Sequence, residues 1–204
     1  MTWVKVCGMR TVVDLEAAAE AGADGVGLNL IEGTTRYVEI DEAARLASQS
    51  RVPAVILTLD TRPEELVALL DRVGAAGVQP YGDHASEAAH AAARAGAFVL
   101  RPHRVRGPVD LRTIPPGQTA LLDGYSPEGL GGTGKRIDPE WLPPPGSRYV
   151  LAGGLDPSNV AEAVSRYRPW GVDASSGLES APGVKDPARI HSFVRNAKRV
   201  EEGS

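Results

Sequence analysis

Short apolar runs alternate with Ala-rich amphipathic segments from one end of the chain to the other. WVKVC is followed by TVVDLEAAAEAG, ADGVGLNL by IDEAARLASQS, PAVILTLD by RPEELVALLDRVG, and AGVQP by HASEAAHAAARAG. AFVLRP leads into a poorer stretch broken by proline, and TALLD into a glycine-rich loop with the weak helix candidate DPEWL. RYVLAGG precedes DPSNVAEAVSRY, and WGVDASSG precedes DPARIHSFVRNAKRV. The pattern predicts eight strand-then-helix units. Asp156-Pro157 and Asp186-Pro187 each read as an N-cap followed by Pro at the first helical position, where a missing N–H costs nothing. Gly22, Gly74 and Gly96 fall where three helices should stop. Runs such as AVILTL and AFVL are apolar at every position, as strands covered on both faces of a parallel sheet must be. Eight such units in 204 residues predict a single (β/α)8 TIM barrel over 1–204, near the short end of that fold's range. An open doubly wound sheet is the competing arrangement. It calls for a glycine fingerprint at the first strand-to-helix turn, where VCGMRTV offers a single Gly.

Composition narrows the function more than the fold. The chain is long enough to bury a core without disulfides, and no linker or second domain interrupts it; residues 200–204, ending in the polar EEGS, are expected to fray. A formal charge of −4 argues against nucleic acid or a membrane surface as partner, because both attract clustered Lys and Arg. A small-molecule ligand is favoured. One cysteine excludes an internal disulfide and a cysteine-rich zinc site, and the four histidines lack metal-ligand spacing, so no metal is expected. No apolar run approaches about 18 residues, and MTWVKVCGMR lacks the apolar centre of a signal peptide; a cytoplasmic location is expected.

The glycine-rich loop carries Gly129 and, after four residues, Gly134-Lys135, which is the spacing of a nucleotide-binding P-loop. The next residue is Arg136 where Mg²⁺ binding needs Ser or Thr, and Pro139 would fall in the first turn of the helix such a loop requires. The loop is therefore read as the βα loop of the sixth unit, with Gly131 to Lys135 expected to close over bound substrate.

In a barrel, chemistry belongs at the C-terminal strand ends. Cys7 ends the first strand beside Gly8; a thiolate there is a candidate base, although a lone Cys also serves as a small buried hydrophobe. Lys5, on the same strand face, would lower its pKa. Asp123 ends the sixth strand; Asp-Gly is a common turn pair, yet the barrel would set this carboxyl across the mouth from Cys7 as an acid facing a base. The loops after strands seven and eight, AGGLD and ASSGLES, sit where barrels hold phosphate. Gly153, Gly154 and Gly177 permit close N–H approach, and Ser175 and Ser176 add hydroxyls. Arg36 is suited to a substrate carboxylate, and Asp60, Tyr81 and Arg101 stand at three further strand ends as substrate-binding candidates. Together these suit proton transfer within a phosphorylated small molecule, an isomerase reaction, better than hydrolysis.

VKVCGMR, the RYV after strand two, VQPYGD, LLD with GGTGK, LAGGLDPSNV and GVDASSGLESAPGVKD occur in one order along the chain. Over almost its whole length the chain resembles phosphoribosylanthranilate isomerases of tryptophan biosynthesis. The resemblance implies a cofactor-free barrel that converts N-(5-phosphoribosyl)anthranilate to its 1-deoxyribulose 5-phosphate isomer by an Amadori rearrangement, as monomer or homodimer. It also implies Cys7 as the base at C2′, Asp123 as the acid at the furanose ring oxygen, and Arg36 at the anthranilate carboxylate. Gly153, Gly154, Ser175, Ser176 and Gly177 match the phosphate site. GLNL with EGTTR at strand two, Tyr81 where His is common, Asp60 where Asn is frequent and Arg101 for Lys depart from the family pattern on the aglycone side. An isomerase acting on another phosphoribosylated amine, and a noncatalytic phosphate-binding barrel, are the alternatives.

Overall fold

The computed structural model describes residues 1–124 and 137–199. Strands β1 (Trp3–Cys7), β2 (Gly25–Asn29), β3 (Ala54–Leu59), β4 (Gly77–Tyr81), β5 (Phe98–Val105), β6 (Gln118–Gly124), β7 (Tyr149–Leu151) and β8 (Gly171–Ala174) pair in chain order. All are parallel, and β8 closes on β1 through Trp3 opposite Gly171 and Lys5 opposite Asp173. The chain thus folds as a closed (β/α)8-type barrel. A short hairpin, β9 (Glu179–Ala181) with β10 (Val184–Lys185), follows β8.

Helices α1 (Val12–Ala21), α2 (Ile40–Gln49), α3 (Pro63–Val73) and α4 (Ala85–Arg94) follow the first four strands, α5 (Val160–Tyr167) follows β7, and α6 (Pro187–Arg199) follows the hairpin. Gly22 and Gly74 end α1 and α3 in the left-handed conformation, which costs glycine nothing. Asp186 caps α6, its carboxylate accepting from the N–H of Ala188 at 2.9 Å. Asp156 does not cap α5. It accepts from the N–H of Ser158 at 2.7 Å in a local turn, and the helix begins three residues later than the sequence predicts, after Asn159. Units five and six carry single 3₁₀ turns, Leu111–Thr113 and Pro139–Trp141, among the described residues where the repeat predicts helices. Pro108, Pro115 and Pro116 bracket the first turn, and Pro143 to Pro145 follow the second, so neither stretch can sustain an i→i−4 ladder. No helix among the described residues is long and apolar enough to cross a membrane.

Outward residues of the strands, such as Val4, Val6, Ile56 and Leu122, are wholly buried against helix residues including Leu15, Leu46, Leu66 and Phe193. Inward residues fill the barrel itself. At its N-terminal end Trp3 stacks on Trp170 with ring centroids 5.2 Å apart, and Phe98 tilts against both. The Arg148 guanidinium covers the outer face of Trp170 at 4.0 Å. Gly25 and Gly171 make room for this plug: a Cβ at either would lie 2.9 Å from an atom of Trp3. Val55, Leu100, Leu121 and Val150 form the apolar layer packed with it. The interior also holds an ion pair, Lys5 Nζ to Asp173 Oδ1 at 2.9 Å, with Lys5 fully buried.

Candidate active site

The C-terminal mouth begins with Cys7, the last residue of β1. Its side chain packs with Ile31, Leu57 and Tyr81. Gly27 opposite is pressed against it, since a Cβ there would sit 2.6 Å from Sγ. Burial pushes the thiol up from its ordinary pKa, the positive charges of Lys5 and Lys185 pull it down, and the Asp173 carboxylate pushes it up again. Lys5 does face Cys7, as expected from the strand alternation, but desolvation outweighs it and the net direction is upward. The carbonyl of Cys7 accepts a hydrogen bond from Ser175 Oγ at 3.0 Å, tying β1 to the loop after β8.

Asp123 stands near the end of β6. Burial, then the nearby Asp173 charge, pushes its carboxyl up to about 6, against the opposing pull of the Gly124 N–H, Arg104 and Lys5. Tyr81, at the end of β4, accepts from Gln79 Nε2 at 2.6 Å. Burial raises its pKa, and the negative charges of Cys7, Asp123 and Asp173 add to the rise apart from that hydrogen bond, so the hydroxyl stays protonated. Cys7 and Tyr81 pack together, and Asp123, near the end of β6, stands on the same C-terminal rim of the barrel.

A second charged group adjoins the mouth. Arg36 is clamped by Glu179, Nε to Oε1 at 2.6 Å and Nη2 to Oε2 at 2.8 Å, a bidentate pairing that leaves the two-donor Nη1/Nη2 edge open. Lys185, from β10, reaches Glu179 Oε1 at 2.8 Å and the Ser175 carbonyl at 3.0 Å. Burial works against the Glu179 charge, but hydrogen bonds from Arg36 and Lys185 hold its pKa down at about 2. Gly8 lets the Arg36 stem cross β1 closely; a Cβ there would lie 2.5 Å from Arg36 Cδ.

The two loops proposed for phosphate touch each other. Gly153 and Gly154 both take positive φ, 85° and 67°, and Asn159 Nδ2 pins the Gly154 carbonyl at 2.9 Å. Gly177 packs against the Leu155 carbonyl so tightly that a Cβ would come within 2.2 Å of it. Ser176 and Gly177 open a 3₁₀ turn, Ser176–Leu178, after Ser175.

Asp60 follows β3 beside Tyr81, its N–H donating to the Tyr81 carbonyl at 3.0 Å, and Arg101 lies within β5. Asp60 has a left-handed backbone, φ 51°, and its carboxylate accepts from the Asp83 N–H at 2.5 Å, bracing the turn after β4. Arg101 is the register partner of Ala120, which belongs to the outer core, and its Nη1 donates to the Ala85 carbonyl at 2.5 Å at the start of α4. Among the described residues the two side chains do not pair with each other; each bonds to backbone. Arg104, two positions into the same strand from Pro102, is instead the register partner of Asp123 and shares its facing. Sequence reading passed over it, as it did Asp173, Glu179 and Lys185. The loop Gly131 to Lys135 lies outside the described residues.

A family profile described as N-(5'phosphoribosyl)anthranilate (PRA) isomerase matches residues 4–196. An N-(5'-phosphoribosyl)anthranilate isomerase of Geobacter sp. (strain M21) is 40% identical over 206 residues, covering 98% of this chain and 100% of that protein. The crystal structure of the phosphoribosyl anthranilate isomerase from Thermus thermophilus superposes with a TM-score of 0.84 at 28% identity, over 98% of this chain and all of the other. Monomers generated from the dimeric Thermotoga maritima enzyme superpose at 0.78, also at 28% identity and covering 98% and 100%.

Proposed function

The chain belongs to the N-(5'-phosphoribosyl)anthranilate isomerase family, and we propose that it catalyses that family's ring-opening isomerisation with Asp123 as acid and Cys7 as base. What supports the assignment is a carboxyl raised to about 6 near the end of β6 and a buried thiol at the end of β1, both at the C-terminal rim of the barrel with the loops after β7 and β8. Near neutral pH part of the Asp123 population is protonated. It gives its proton to the furanose ring oxygen; the C1′–O bond breaks as the anilino nitrogen lone pair forms the iminium. The Cys7 thiolate, held near Lys5 and Lys185, then takes the proton from C2′, and the C–H electrons form the C1′=C2′ bond while the iminium becomes an enamine. Tautomerisation returns a proton to C1′ and leaves a ketone at C2′. Atoms balance within one molecule, and no redox partner enters.

The substrate phosphate falls to Gly153, Gly154, Ser175, Ser176 and Gly177, in the adjoining loops after β7 and β8. Arg36, oriented by Glu179, offers its Nη1/Nη2 edge to the aglycone side. Asp60 and Arg101 act one step back, bracing the loops after β4 that carry Tyr81 rather than touching substrate. A reduced, cytoplasmic setting is part of this reading, because the base must remain a free thiol. The working unit is a monomer or a homodimer, the latter in keeping with the dimeric Thermotoga relative, and light scattering of the purified protein decides between them. The test of the activity is direct. Purified protein mixed with phosphoribosylanthranilate should abolish the anthranilate-type fluorescence at a rate proportional to enzyme; a folded protein without turnover overturns the assignment.

A further inference from the structure

The hairpin β9–β10 stands outside the barrel sheet, yet it ties two of the barrel's loops together. Glu179 and Lys185 are cross-strand partners in it. The Lys185 side chain is fully buried, and its ammonium meets three acceptors: Glu179 Oε1 at 2.8 Å, the Ser175 carbonyl at 3.0 Å and Ser175 Oγ at 3.4 Å. An ammonium has three hydrogens, so none is left over for substrate. Glu179 in turn grips Arg36 through Nε and Nη2, and its Oε2 accepts the Gly183 N–H at 3.1 Å. Gly183, in the hairpin turn with φ 77°, lies against the residue before Arg36: a Cβ there would stand 3.0 Å from the Thr35 carbonyl. Ser175 extends the chain of contacts to β1, its Oγ donating to the Cys7 carbonyl. One buried cation thus joins the loop after β2 to the loop after β8.

We propose that Lys185 is a positioning residue for substrate specificity: by tying Arg36, through Glu179, to the Ser175 loop, it fixes the span between the carboxylate and the phosphate that the site accepts. The proposal rests on the substrate reading above, in which Arg36 meets the ring carboxylate and the loop after β8 meets the phosphate. Each contact can form without Lys185, but their separation is set by it. Arg36 belongs to a loop between β2 and α2, and a loop guanidinium left to itself would follow a misplaced anion. A buried ammonium bonded to both loops removes that freedom before substrate arrives, so binding does not have to order them. The fixed span suits a carboxylate ortho to the anilino nitrogen and leaves one at the para position away from the Arg36 edge. Arg36 and Lys185 also share a single carboxylate, so the triad keeps one net positive charge for an anionic substrate.

The experiment compares dissociation constants of two unreactive probes, the reduced product analogue with its ortho carboxylate and the para-carboxylate isomer. Because neither reacts, the positive charge that Lys185 lends to Cys7 does not enter the comparison. Wild-type protein should bind the ortho probe about tenfold to a hundredfold more tightly, the range of a charged hydrogen bond. Lys185→Met should bind the two within about threefold of each other, through weaker binding of the ortho probe alone. The variant leaves Arg36 and Glu179 as a neutral pair with no ion stranded, so it is expected to fold; Lys185→Leu replaces it if it does not. A lysine that only props the hairpin would lower the urea midpoint and leave the ortho preference undiminished. That result overturns the proposal, as does a wild type without the preference. Either result alongside wild-type turnover of phosphoribosylanthranilate sinks this inference alone, whereas absence of wild-type turnover sinks the functional assignment.

Discussion

The two ends of the barrel are built from the same strands, yet they use their inward positions in opposite ways. At the N-terminal end Trp3, Phe98 and Trp170 fill the interior with stacked rings, and Gly25 and Gly171 give up side chains to let them in. At the C-terminal end the inward positions hold Cys7, Tyr81, Arg104 and Asp123, with the charges of Lys5 and Asp173 beneath. One end satisfies close packing; the other accepts desolvated polar groups with shifted pKa values. The difference teaches that burial alone does not identify a core here. Cys7 is as buried as many leucines, and what distinguishes it is the company of ionisable groups.

If the ends are separable, substitutions should split cleanly between turnover and stability. The largest effect is expected from Cys7→Ala and Asp123→Asn, each lowering kcat by about 10²- to 10⁴-fold, the usual worth of a positioned acid or base, with folded content unchanged by circular dichroism. Next, Trp3→Ala should cost about 3–5 kcal/mol in urea unfolding while KM and kcat, measured well below its melting temperature, stay within a few-fold of wild type. A tenfold change in kcat from that remote substitution would mean the plug and the mouth are one unit.

A sharper comparison comes from the stability of Asp123→Asn. The folded carboxyl is raised to about 6, so the wild type keeps the stability of a neutral group below the unfolded pKa, near 4, and loses it as pH rises through about 6. Asparagine never ionises. The variant should therefore match wild type at pH 4 and exceed it by up to about 3 kcal/mol at pH 8, read as a shift in urea midpoint. Equal midpoints at both pH values would show that the site does not penalise the charge. The smallest effect is expected from Glu179→Gln, which loosens the fork on Arg36. KM should rise about tenfold with kcat little changed, and an unaltered KM would remove Arg36 from substrate binding.

The barrel was legible because each repeat carried its own period, a fully apolar strand and then an amphipathic helix. It was least legible at units five and six, where proline overrode the repeat. The mouth was legible where a strand ends abruptly at a polar residue, as at Cys7, Tyr81 and Asp123. It was misread where the strand end was misplaced. AFVLRP reads as ending at Pro102, which makes Arg101 the terminal side chain, but β5 continues to Val105 and the phase turns Arg101 outward and Arg104 inward. An apolar run hides this phase, since both faces look alike. Glu179 and Lys185 escaped notice because they meet only through the β9–β10 hairpin, which shows no apolar period.

The ion pair between Lys5 and Asp173 also constrains how such a sequence can change. Losing either partner strands an ion in a dry interior, at about 3–5 kcal/mol, a large share of a typical domain's stability. Replacing both together with apolar residues is the tolerable route, but it takes two simultaneous steps and strips Cys7 of a neighbouring cation. Positions 5 and 173, 168 residues apart in the chain, are therefore expected to be inherited as a unit, and lineages that keep the thiol base have no easy single-step path away from them.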